Sequence, residues 1–128
     1  MARKHLQRAQ PFDRSERVSE RIRDAVASTC LFDITDDRLQ GIEITKVHAT
    51  KDLRLARVYF YCEEANSDHI AKVHLGFKSA VGFLKKAIGR EVNLKYMPEI
   101  EFYYDDSVDH ERKMNKLIED LNITKESE

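Results

Sequence analysis

The amino-acid sequence predicts an α+β protein in which helices cover one face of a three-stranded mixed sheet. Three segments repeat apolar residues at the 3.6-residue period of a helix, and three shorter ones alternate apolar and polar residues as half-buried strands do. Their order is helix, strand, strand, long helical segment, strand, helix. The length, 128 residues, suits one domain with a single modest core.

The first helix follows from Val18, Ile22, Ala25, Val26 and Thr29, which share one face at 100° per residue. Arg14, Arg17 and Arg21 fall at i, i+3 and i+7 along its flank. The first strand spans Gly41 to Thr50. Its alternation changes phase between Ile44 and Val47, so a β-bulge near Thr45 and Lys46 is needed to keep Ile42, Ile44, Val47 and Ala49 on the core side. A short connection through Lys51, Asp52 and Leu53 leads to the second strand, Leu55 to Cys62. There Ala56, Val58, Phe60 and Cys62 point inward and Arg57, Tyr59 and Tyr61 outward.

The long helical segment, from about Asp68 to Ile88, carries Ile70, Val73, Phe77, Ala80, Leu84, Ala87 and Ile88 on one face. Ala80 and Gly82 interrupt it with small residues, and the expectation is a helix-kink-helix unit ended by Gly89 in the left-handed conformation. His74, Lys78 and Lys85 align beside its apolar face, with Lys86 and Arg90 near its end. The third strand, Glu99 to Tyr104, enters at Pro98 and turns Ile100, Phe102 and Tyr104 inward. Asp106 or Ser107 then caps a last helix, to about Leu121, with Met114, Leu117, Ile118 and Leu121 on one face. The expected organisation is a basic arm over 1–12, a core domain over 13–105, a helix over 106–121 packed on or beside it, and a frayed tail over 122–128.

Charge is uneven. The total is −1, from 22 basic and 23 acidic residues. Residues 1–30 hold seven basic and four acidic groups, giving +3, and residues 51–98 hold nine and five, giving +4. Residues 99–128 hold four and ten, giving −6. That asymmetry suits a polyanionic partner on one side of the molecule. The arginine flank of the first helix and the basic residues of the long helix are the candidate phosphate contacts.

Other classes of function find little support. No segment approaches the roughly 18 apolar residues of a membrane span, so a cytoplasmic protein with no membrane partner is expected. Cys30 and Cys62 lie in apolar stretches and read as reduced core residues. No pair among His5, His48, His69, His74 and His110 has the i,i+4 spacing of a helical metal site. Asp36-Asp37 and Asp105-Asp106 read as turn and cap chemistry. Neither a nucleophile motif nor a Gly-rich phosphate loop is present, so no enzymatic activity, metal or cofactor is expected.

The element order is that of a KH domain of the second type, but the Gly-x-x-Gly loop that clamps single-stranded RNA in such domains is missing. Several stretches, in order, resemble the bacterial ribosome-binding factor A family. They are Arg14 to Val18, Asp36-Asp37-Arg38-Leu39-Gln40-Gly41, Ile44-Thr45-Lys46-Val47, Asp52 to Tyr59, Ala80-Val81-Gly82-Phe83-Leu84 and Leu94 to Phe102. The resemblance covers about Asp13 to Leu121. In that family an Ala-x-Gly kink replaces the Gly-x-x-Gly loop. Two departures stand out: Asp37 replaces the usual proline, and Lys95 stands where arginine is usual, keeping charge but losing the bidentate fork.

The resemblance implies a maturation factor that binds the free small ribosomal subunit and its rRNA late in assembly. It implies support for rRNA 5′-end processing, importance in the cold, and release linked to an assembly GTPase. A monomer is expected. The residues then expected to meet RNA are Arg14, Arg17, Arg21, His74, Lys78, Lys85, Lys86, Arg90 and Lys95, with Ala80 and Gly82 shaping the helix between them. Two other readings stay open. One is a single-strand binder using Tyr59, Tyr61 and Tyr103 on the sheet, and the other a protein-protein adaptor using the acidic C-terminal helix.

Overall fold

The computed structural model describes residues 13–127 other than Glu64, so the basic arm expected over 1–12 lies outside the described residues. Helix α1 (Arg14–Phe32) begins at Asp13, whose carboxylate accepts the Glu16 N–H at 3.0 Å. All five residues of its expected stripe are buried. Ser19 is buried too, because its hydroxyl donates to the Ser15 carbonyl and accepts the N–H of Ala49, closing the end of the first strand.

A 3-10 turn (Asp37–Leu39) follows, without the proline that the resemblance leads one to expect there. Here Asp36 does the fixing instead. Its side chain accepts the Arg38 N–H at 2.9 Å and grips the Arg38 guanidinium through both oxygens. That paired guanidinium holds the Asp36 carboxyl below its ordinary pKa. Gly41, at φ 75, then turns the chain into the sheet.

Strands β1 (Glu43–Ala49), β2 (Leu55–Tyr61) and β3 (Glu99–Tyr104) lie in that spatial order, β1 antiparallel and β2 parallel to their successors. The register slips between Ile44 and Lys46, so the bulge expected there is present and Thr45 is the extra residue. Ile44 and Ala49 are buried as a result. Between β1 and β2, Leu53 takes φ 58, a conformation that costs a side-chain-bearing residue energy. Hydrogen bonds from the Thr50 hydroxyl and the Arg54 N–H to Asp52 brace the turn.

The long segment forms one helix, α2 (Ser67–Glu91), started by Asn66. Two expectations fail here. The helix runs uninterrupted past Ala80 and Gly82, so the two helices read from the sequence are one. Gly89 does not end it: the helix continues to Glu91 and stops at Val92, whose backbone is extended. Among the described residues Gly41 alone of the glycines has positive φ. Val92 makes the better terminus because its side chain is buried, and its N–H still reaches the Ile88 carbonyl.

The glycine that packing requires is Gly76. A Cβ there would sit 2.9 Å from Leu39 Cγ and Cδ2 and 3.2 Å from Arg38 Cβ, so only glycine lets α2 lie this close to the 3-10 turn. At Gly82 a Cβ would meet nothing within 4 Å. Opposite results follow in urea unfolding. Gly76→Ala lowers stability by about 1–3 kcal/mol through overpacking, whereas Gly82→Ala raises it by roughly 1 kcal/mol through helix propensity. Loss of stability at Gly82 would mean that the helix needs glycine there for a bend.

Helices α1 and α2 cover one face of the sheet, and the core between the layers centres on Ile22, Val26, Val58, Phe60, Val73, Phe77, Leu84 and Ile88. Phe77 stacks on Phe102 with centroids 4.1 Å apart and tilts against Phe60 at 5.3 Å. Cys30 and Cys62 are free thiols within this core, and burial pushes the Cys30 thiol up to about 11.

The last helix, α3 (Ser107–Ser127), runs six residues past its expected end at Leu121, where a frayed tail was expected. Nothing after Pro98 is Gly or Pro, so no residue stops it. It leans on the body through Asp109, which accepts the Tyr104 hydroxyl, and Arg112, whose guanidinium lies over the Tyr61 ring. Tyr61, expected to face solvent, is thereby 6% exposed. Met114, Leu117, Ile118 and Leu121 lie roughly opposite Asp109 and Arg112 on the helix and are exposed.

Candidate nucleic-acid interface

The nine residues expected to meet RNA do not form one patch. Arg14, Arg17 and Arg21 are exposed along the α1 flank that turns toward α2. Arg90 projects from the facing flank of α2, and with Arg21 it lines a cleft of about 390 Å³ between the two helices. Asp24, Asp33 and Glu91 line the same cleft, so it is mixed in charge rather than a closed anion pocket. The exposed arginines at its rim are therefore the part suited to an extended polyanion.

Lys78 and Lys85 lie on the opposite flank of α2, toward β3. Lys85 reaches Glu99 Oε2 at 3.6 Å, while Lys78 and Lys86 are exposed or nearly so along the outer helix surface. His74 shares their flank but is half-buried, with its ring edge-on to Phe60 at 5.3 Å. Its place is against the core aromatics. No ion pair joins Arg14, Arg17, Arg21, Lys78, Lys86 or Arg90 to another described residue. Arg14, Arg17, Lys78 and Lys86 thus face solvent with no close counter-charge among the described residues, whereas Arg21 and Arg90 share their cleft with Asp24, Asp33 and Glu91.

Lys95 belongs to a third group that the sequence did not mark. Its ammonium lies 5.5 Å from the Tyr96 ring centroid, and the guanidinium of Arg54, from the hairpin before β2, lies 5.3 Å from the same ring. The Glu99 N–H donates to the Arg54 carbonyl at 2.9 Å and ties the two loops together. Only the parallel pairing of β2 with β3 brings residues 54 and 96 together.

The outer sheet face is less available than its tyrosines suggested. Tyr59 and Tyr103 stack side by side with centroids 5.6 Å apart, Lys46 lies over Tyr59, and Arg112 covers Tyr61. Tyr103 donates its hydroxyl to Glu101, and that carboxylate beside it raises the phenol's pKa.

Asp105 has a supporting role at the junction of β3 and α3. It is buried, accepts the Ser107 N–H and hydroxyl, and accepts the hydroxyl of Thr45 in the bulge at 2.6 Å. Burial pushes its carboxyl up, but the Ser107 and Thr45 hydrogen bonds outweigh that and lower the pKa. A depressed carboxyl contributes stability above its unfolded pKa and loses it as pH falls through the lower folded value. Asp105→Ala should cost about 1–3 kcal/mol at neutral pH, measured by urea unfolding. The gap from wild type should narrow below the ordinary aspartate range. A gap independent of pH would show that the ionised carboxylate is not the stabilising species.

Among the described residues no cluster of three or more His, Cys, Asp and Glu side chains could hold a metal, and no helix is long and apolar enough to cross a membrane. The fold and the placement of cations define a two-layer α+β protein with a basic helical surface and mixed-charge clefts. The chain belongs to the ribosome-binding factor A family, whose sequence model matches residues 14–118. A relative of that name from Desulfatibacillum aliphaticivorans is 38% identical over 108 residues, 84% of this chain and 87% of the relative. The NMR structure of a Thermotoga maritima protein assigned to the same family has a TM-score of 0.63 at 26% identity, covering 74% of this chain and 90% of that one. The Thermus thermophilus factor, in coordinates fitted into a cryo-EM map of its 30S complex, gives 0.54 at 20% identity, covering 69% and 91%.

Proposed function

We propose that this protein is a non-enzymatic maturation factor that binds the free small ribosomal subunit and its rRNA late in assembly. The observation that carries the reading is the exposed arginine flank of α1, Arg14, Arg17 and Arg21, beside Arg90, in a chain of this family. The 30S complex of the Thermus thermophilus relative supports the choice of partner. Cations spread over two helices suit the phosphate backbone of a folded RNA, which is met by shape and charge. Binding there favours one rRNA conformation, which separate nucleases then trim at the 5′ end. Release is coupled to an assembly GTPase, and the protein acts as a monomer in the cytoplasm.

The need for such a factor is greatest in the cold, where misfolded rRNA is slowest to rearrange. Cells lacking this protein should therefore accumulate small-subunit rRNA with an untrimmed 5′ end, more at low temperature than at high. Normal 5′ ends in the cold would refute the processing role.

A second reading, protein-protein docking on the ribosome, is favoured by one observation. The apolar stripe of α3 faces away from the body. Leu117→Lys should then weaken subunit binding without changing its salt dependence.

A further inference from the structure

We infer that Tyr96, with Arg54 and Lys95, is a stacking site for one unpaired ribonucleotide. The inference rests on the proposal that the partner is RNA, and adds to the helix surface a second contact of different chemistry. Tyr96 is 57% exposed, in the loop that leads from α2 to β3. The ring is not part of the hydrophobic core, and two cations lie beside it. Its ring offers a π face to any base, and the planar guanidinium of Arg54 offers a second.

The surroundings hold the site in place. Arg54 is positioned by the turn at Leu53 and by its backbone, whose N–H donates to Asp52 and whose carbonyl accepts the Glu99 N–H. On the other side, Met97 packs against α2 at Gly89, where even an added Cβ would lie 3.5 Å from the methionine methyl. Both neighbouring acids are occupied. Asp52 accepts from Thr50 and Arg54, and Glu99 is paired with Lys85. The exposed Lys95 can leave the ring to meet a phosphate as a base takes its place. An unpaired nucleotide supplies both a base and a phosphate, whereas a base inside a duplex presents no free face.

The chain has no tryptophan, so Tyr96→Trp installs a single reporter. A short mixed-sequence single-stranded RNA should quench its fluorescence, and an abasic ribose-phosphate chain of equal length should not. In binding to free small subunits, Tyr96→Phe should match wild type. Tyr96→Leu should weaken binding about tenfold with the salt slope unchanged, whereas Arg54→Ala with Lys95→Ala should flatten that slope. Equal quenching by the abasic chain, no quenching by either, or wild-type subunit binding by Tyr96→Leu would overturn the site. Base-dependent quenching in a protein that fails to bind subunits would uphold the site and refute the proposed partner.

Discussion

Phe77→Ala is expected to destabilise the protein by about 3–5 kcal/mol, a larger effect than any other substitution proposed above. Phe77 is fully buried at the centre of α2, flat against Phe102 of β3 and tilted against Phe60 of β2, so its ring joins the helical layer to two strands. Truncation strips apolar packing from both strands and leaves a hole that the rigid sheet cannot close. The urea midpoint should fall with little change in slope. Against a typical domain stability of about 5–15 kcal/mol, the variant should be marginal at growth temperature. Phe83, on the same helix but 46% exposed, is the control, and Phe83→Ala should change stability by no more than about 0.5 kcal/mol. Equal losses at the two positions would contradict the assigned packing of α2.

The second large effect concerns charge. Replacing Arg14, Arg17, Arg21, Lys78 and Lys85 together with Glu should weaken binding to free small subunits by roughly a thousandfold or more at moderate salt. The salt dependence should flatten by roughly one unit of slope for each phosphate that the protein no longer neutralises. None of the five side chains is buried, so the variant should still fold, as its circular dichroism can verify. Separate reversals on α1 and α2 should each give part of the loss, because the two groups lie on different flanks. A loss confined to one group would restrict the interface to that helix.

The fold was legible wherever one face of an element meets the core. Val18, Ile22 and Val26 repeat at helical spacing because α1 buries one stripe, and the phase change between Ile44 and Val47 marks the bulge because both flanking halves of β1 must point inward. Glycine was harder to read. Gly82 stands out in the pattern yet touches nothing, whereas Gly76 falls on the buried side of the same helix and its need is visible only when Leu39 is brought against it from 37 residues away. Tyr61 alternates outward as the strand demands, but its burial depends on Arg112 of α3, which no local pattern encodes. The candidate surface divides in the same way. Arginines at i, i+3 and i+7 of α1 share a flank by helix geometry alone. By contrast, Arg54 meets Tyr96 through sheet pairing, and His74, aligned with Lys78, is drawn to Phe60 by the aromatic core.

If this basic surface recognises the free small subunit, binding should depend both on the particle and on salt. Both are read by co-sedimentation of the protein with free small subunits and with assembled ribosomes over a range of salt. Binding to free subunits should weaken steeply with salt, and assembled ribosomes should bind little of the protein. Absence of binding to free subunits, equal binding to both particles, or binding indifferent to salt would contradict recognition of the free subunit by this surface.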